Sequence, residues 1–126
     1  MALKIALKPY EKIIIAGAVV TNGGSGTSLI IENNVPVLRE KDILKEENAD
    51  SPARRIYFVV QLMYLDENNL ALHHQSYWGL VRDFLSAAPS SMDLIRKISV
   101  FILNAEYYKA LKLVQKLIDY EQFLIS

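Results

Sequence analysis

Residues 36–57 read PVLREKDILKEENADSPARRIY, and the fold turns on how they are read. Val35 to Leu38 is short and apolar, with β-branched valines at 35 and 37, which suits a strand. The charged run that follows ends at Ser51-Pro52, a helix-capping serine followed by proline at the first helical position. Ile56, Val59, Val60, Met63 and Tyr64 then recur at helical spacing. Strand chemistry therefore gives way to helix chemistry inside this one segment. It also breaks a rule: Arg54 and Arg55 fall in a first helical turn, where unpaired N–H groups and the macrodipole favour anions. Two readings follow. Paired guanidinium groups beside free N–H donors suit a phosphate, whereas Glu46, Glu47 and Asp50 are close enough in sequence to neutralise both arginines across the turn.

Upstream, apolar segments are short, rich in Ile, Val and Thr, and interrupted by Gly and Asn. Strands are expected near Lys4–Leu7, Lys12–Val20, Thr27–Glu32 and Val35–Leu38, with residues 21–26 (TNGGSG) as a hairpin connection. That glycine-rich loop lacks the Gly-Lys-Ser/Thr ending and the following helix of a phosphate-binding loop. Downstream, Asp66 is placed to cap a second helix to about Ala87, with Leu72, Trp78, Leu80 and Phe84 as its apolar mass, and Pro89 ends it. Ser90 or Ser91 opens a third helix carrying Leu94, Ile95, Ile98, Phe101 and Ile102. Asn104 separates it from a fourth, with Tyr107, Leu111, Val114, Leu117 and Ile118 on one face and Lys109, Lys112 and Lys116 on another. The expected fold class is α+β: an N-terminal antiparallel β unit followed by a C-terminal bundle of about four helices, in one domain of 126 residues whose halves meet between positions 50 and 51.

LREKDI (38–43), DSPARRIYF (50–58) and QLMYLD (61–66) together resemble the FlbT family of bacterial flagellar regulators. The opening MALKIALKPYEKIIIAGAVVTNG (1–23) and EYYKALKLVQKLIDYE (106–121) agree with that family in order and spacing, so the resemblance covers nearly the whole chain. It implies a post-transcriptional regulator, repressing or activating, that acts on flagellin messenger RNA through its 5′ untranslated region. The β half also resembles, more remotely, the CsrA family of small messenger-binding proteins. The segment VLRE at Val37–Glu40 resembles that family's RNA-contacting VHREE, and the opening strand corresponds to another contact region. This resemblance nominates Arg39, with Ile5 and Lys8. It departs from the family pattern at Leu38, where that family has His, at Leu7, and in an extra residue before Ile43.

Composition bounds what remains. At 52% hydrophobic residues, the chain can bury a real core without staples. It has no cysteine, so a disulfide framework or thiolate metal site is excluded and a reducing cytoplasm is the expected location. Lysines 4, 8 and 12 break every early apolar run, leaving neither a signal-peptide core nor a membrane span. The 14 Lys and Arg match the 14 Asp and Glu, so any RNA contact must come from a local patch or from an oligomer's combined surface. His73 and His74 are adjacent and cannot share a metal face as an i,i+4 pair does. No serine, histidine and carboxylate set points to catalysis, so neither enzyme activity nor a cofactor is expected. Two functions stay open. A messenger-binding regulator would use Arg39, Lys41, Arg54 and Arg55, with Lys8 and Ile5, on a flagellin leader RNA. A protein-interaction module would instead hold a flagellin or another flagellar regulator on its apolar helices. The apolar surface exceeds what so small a chain hides, which calls for a homodimer or a complex with a protein partner; the homodimer is expected, since closed two-fold assemblies are the commonest.

Overall fold

A two-residue turn at Ala16-Gly17 decides the shape of the β region. Both residues have positive φ, 51° and 85°, which is the backbone of a tight type I′ hairpin. The apolar run expected as one strand over Lys12–Val20 is therefore two: β2 (Lys12–Ile15) and β3 (Ala18–Thr21), paired antiparallel with Ile13 opposite Val20. Periodicity missed the break because nothing polar marks it, and alanine rarely takes positive φ. The structure, a computed structural model, describes residues 2–126.

The remaining strands are β1 (Leu3–Leu7), β4 (Thr27–Ile31) and β5 (Val37–Arg39). They form two sheets, β1 with β4 and β3-β2-β5. Residues 21–26 thus carry the chain from one sheet to the other and are not a hairpin between neighbours, a correction to the expected connection. Register aligns the apolar sets: Ile5 faces Leu29, Leu3 faces Ile31, and Ile15 faces Val37. Buried Ile5, Leu7 and Ile13 gather Ile15, Val20, Leu29, Ile31 and Val37 around them. The alternation of a half-buried strand produces this core.

Among the described residues four α-helices follow: α1 (Pro52–Leu65), α2 (Leu70–Ala87), α3 (Met92–Leu103) and α4 (Tyr107–Ile125). The α+β expectation holds. The chain divides into two compact units after Ile43, and Leu44 joins the helical one for a specific reason. The buried side-chain amide of Gln61 accepts the Leu44 N–H at 2.8 Å and donates to the Leu44 carbonyl at 2.9 Å. A glutamine thereby satisfies both backbone groups of one residue, as a strand partner would.

Side chains satisfy the start of α1 and of the short 3-10 turn Glu67–Asn69 that precedes α2, whereas α2, α3 and α4 themselves begin without a side-chain cap bond. Ser51 Oγ accepts the Arg54 N–H at 3.2 Å, while the buried Glu121, near the end of α4, accepts the Ala53 N–H at 2.8 Å through Oε2. Asp66 accepts the Asn68 N–H at 3.3 Å. Bonds from Asn69 and then His73 hold its carboxyl below the usual range, against a smaller opposing effect of burial. The apolar face of α2 is not the expected one. His73, Tyr77, Val81 and Phe84 are buried, whereas Leu72 and Trp78 are exposed. His73 turns to Asp66 at 3.2 Å and His74 to the Tyr107 hydroxyl at 3.0 Å. On α3, Ile95, Ile98 and Ile102 are buried; on α4, Leu111, Val114 and Leu117 are. Among the described residues no helix is long and apolar enough to cross a membrane.

Two stability predictions follow from the helical unit. Gln61→Leu leaves the Leu44 N–H and carbonyl without their partner, and urea unfolding of the full chain should show a loss of about 1–3 kcal/mol. Burial pushes the Tyr77 hydroxyl up to about 12, partly offset by its bond to Ser99. The folded state therefore holds the proton more tightly than the unfolded chain. This contribution is complete below pH 10 and is lost as pH rises towards 12, and its full size is roughly 2–3 kcal/mol. Tyr77→Phe should flatten that alkaline fall in stability, and an unchanged profile would refute the assignment.

Candidate nucleic-acid interface

Lys8-Pro9-Tyr10-Glu11 links β1 to β2, with the Glu11 N–H bonded to the Lys8 carbonyl at 3.1 Å. Proline second and a positive-φ residue third is the signature of a type II turn, where Gly or Asn normally stands third. Here that residue is Tyr10, with φ 64°. Its N–H donates to the Asn22 carbonyl at 2.9 Å, and the Asn22 amide donates to the Lys8 carbonyl at 3.0 Å and the Ser25 carbonyl at 2.8 Å. The glycine-rich loop thus clamps the turn in place. Tyr10 is 68% exposed, so the chain spends backbone strain to hold an aromatic ring outward. Strain of this kind concentrates where function requires it.

Tyr10 stands beside cations. Lys8, Pro9, Tyr10, Glu11, Arg39, Glu40 and Lys41 line one cavity of about 440 Å³. Both carboxylates are engaged. Glu11 accepts the Lys8 N–H at 2.9 Å and faces the Arg39 guanidinium at 3.8 Å, and Glu40 accepts the Lys12 N–H at 3.0 Å. The ammonium groups of Lys8 and Lys41 have no ion pair among the described residues. Three cations and an outward ring thus share a concavity whose acids are already held by backbone donors.

Arg39 is placed differently from a free surface arginine. It lies opposite Ile13 in the β2–β5 pair, so its stem starts on the face of the apolar core. Its Nη2 donates to the Ala6 carbonyl of β1 at 3.0 Å, tying the two sheets together. The side chain is 41% exposed, yet Nε is buried without a hydrogen-bond partner. The other nominated residues separate. Ile5 is buried in the β core and offers no surface to RNA from this chain. Arg54 and Arg55 belong to the helical unit. There the first-turn N–H groups of α1 are already bonded, Ala53 to Glu121, Arg54 to the Ser51 hydroxyl, and Arg55 to the Ser51 carbonyl at 2.8 Å. Arg54 pairs with Asp50 at 3.5 Å, so the neutralising reading holds for Arg54 alone, and Arg55 has no ion pair among the described residues. Sequence reasoning missed Tyr10, because nothing in Lys-Pro-Tyr-Glu announces positive φ at a tyrosine.

The model of the family described as "Flagellar protein FlbT" matches residues 3–125. This chain belongs to the FlbT family. Among curated relatives, the "Probable flagellum biosynthesis repressor protein FlbT 1" of Bradyrhizobium diazoefficiens is 47% identical, over 98% of this chain and 85% of its own length. The Rhodopseudomonas palustris (strain TIE-1) protein, "Probable flagellum biosynthesis repressor protein FlbT", is 40% identical over 100% of this chain and 99% of its own length. The "Flagellum biosynthesis repressor protein FlbT" of Caulobacter vibrioides (strain ATCC 19089) is 42% identical, over 96% of this chain and 87% of its own length. No solved structure gives a significant match.

A substitution at the strained turn separates fold from function in this FlbT member. Tyr10→Gly should hold or raise stability by up to about 1 kcal/mol in thermal unfolding, since glycine takes positive φ without strain. A clear loss of stability would show that the ring is a packing element.

Proposed function

We propose that this FlbT family member regulates flagellum synthesis from the cytoplasm by binding the 5′ leader of flagellin messenger RNA, altering its translation or lifetime. The regulatory role is supported by the relatives named flagellum biosynthesis repressors. The observation that carries RNA binding is Tyr10, held outward in a strained turn beside Lys8, Arg39 and Lys41. An unstacked base lies on the Tyr10 ring, and the three cations take flanking phosphates. The Arg39 guanidinium edge left outside its bonds to Ala6 and Glu11 takes one phosphate or a guanine edge. Arg54 and Arg55 make a second, weaker contribution in this reading. The acting form is a homodimer, supported by the exposed apolar Val19 and Ile30 on β3 and β4. Light scattering at micromolar concentration should then give twice the chain mass.

Titration of the purified chain against flagellin leader RNA tests this directly. Tyr10→Gly should weaken binding by about 1–3 kcal/mol with the fold intact. Lys8→Ala and Lys41→Ala should each lower the slope of log affinity against log salt by about 0.7. Arg39→Ala is the poorer probe, because it also removes the tie to Ala6. Affinity and salt slope unchanged in the Tyr10, Lys8 and Lys41 variants would remove this face from the function.

A further inference from the structure

The helical unit holds a second concavity, with different chemistry. It is about 380 Å³, walled by the start of α1, the C-terminal half of α2 and the end of α4. Leu80, Phe84, Ala87 and Leu124 make it mainly apolar, and Arg55, Asp83 and Glu121 are its charged members. Glu121 is only 7% exposed. One of its oxygens accepts the Ala53 N–H, while the other, Oε1, is buried with no hydrogen-bond partner. A carboxylate oxygen buried among apolar groups lacks the donor that such groups nearly always have. Neither Arg55 nor Asp83 has an ion pair among the described residues. The formal charge of the lining is therefore minus one: two carboxylates against one guanidinium. A single positive charge on an apolar stem complements this cavity.

We propose that the cavity binds a lysine side chain presented by a partner protein. The four-carbon stem packs against Leu80, Phe84 and Leu124, and the ammonium donates to Glu121 Oε1. Asp83 at the rim adds attraction, and Arg55 rejects a second cation. The surroundings favour a peptide over a free amine. Leu124 and Ile125 of the wall are themselves exposed, as is neighbouring Phe123, and residues flanking a partner's lysine would cover them where a small amine would not. This site shares only Arg55 with the RNA reading and does not rest on the Tyr10 face, since it takes a cation where that face takes an anion.

The test uses the full chain and follows backbone amide shifts, with Ala53 as the reporter of Glu121. Hexylammonium should bind saturably and at least tenfold more tightly than hexanol, with the largest shifts at Ala53 and Leu124. The tripeptide Ac-Leu-Lys-Leu-NH2 should bind at least tenfold more tightly than hexylammonium, and its norleucine counterpart should lose that gain. Glu121→Gln keeps an acceptor for Ala53 but turns the free position into a donor, and should abolish the preference for ammonium. Leu80→Trp fills the cavity without touching the carboxylate, so it should abolish binding even if the glutamine variant proves unstable. Equal affinity for alcohol and ammonium, or binding undiminished in the Leu80→Trp variant, overturns the site. A tripeptide no tighter than hexylammonium overturns the protein partner.

Discussion

The guanidinium of Arg39 is the tie on which the β unit depends. Among the described residues five short strands make two small sheets, neither of which is stable alone at that size. Apolar packing between them is non-directional and does not by itself fix how one sheet sits on the other. The bond from Arg39 on β5 to the Ala6 carbonyl on β1 supplies direction, and Glu11 orients the same group from the start of β2. An arginine suits this because its stem lies along the core beside Ile13 while its planar head reaches a carbonyl and a carboxylate together. A lysine has neither the fork nor the reach in two directions. The same geometry limits how much of Arg39 is left for a ligand. Sequence-independent contacts in the proposed interface therefore fall to Lys8 and Lys41, which hold nothing together.

The helical unit uses the same device at different places. Its critical backbone groups are satisfied by buried side chains from distant parts of the sequence: Gln61 on Leu44, and Glu121 on Ala53. This accounts for the oddity of two arginines in the first turn of α1. The anion favoured at that helix end is present, but it arrives from α4, 68 residues away. With Glu121 in place and Asp50 one turn before Arg54, cations in the first turn are no longer costly. The broken local rule marks a tertiary contact. An external phosphate would find those N–H donors already taken.

What could be read from the sequence follows the range of the forces involved. The start of α1 at Ser51 was legible because its capping is decided within four residues; Asp66 instead caps the short 3-10 turn Glu67–Asn69 ahead of α2, and Ser91 precedes α3 without a side-chain cap bond. The face of α2 was not legible. His73 and Tyr77 are buried because Asp66 and Ser99 are there to bond them, so the stripe a hydrophobic count selects is rotated from the real one. The hairpin at Ala16-Gly17 was hidden in an apolar run, and the sheet switch through residues 21–26 depends on strand partners that no local signal names. Of the residues lining the candidate interface, Arg39 and Lys8 were nominated by resemblance and Lys41 as a cation beside them. Tyr10 was not, since its importance lies in a backbone angle. Ile5 was nominated from a strand whose alternation turns it inward.

Formal neutrality then constrains how such a face can work. A basic protein gains affinity for any nucleic acid by releasing counterions over a broad surface. Three cations on a single strand give a salt slope of only about 2 per chain. Bulk attraction of that size holds no messenger at cellular salt, so discrimination and most of the affinity must come from short-range terms. Stacking on an aromatic ring is worth about 1–3 kcal/mol per base and depends little on salt, provided the ring is already held in place. A ring on a flexible loop would lose part of that gain in ordering entropy. The strained turn at Tyr10, clamped by Asn22, meets that cost during folding. Under the proposed RNA binding, a rigid outward aromatic contributes more to the affinity of a neutral chain than another lysine would, which would give a physical reason for a tyrosine at a position that glycine fits better.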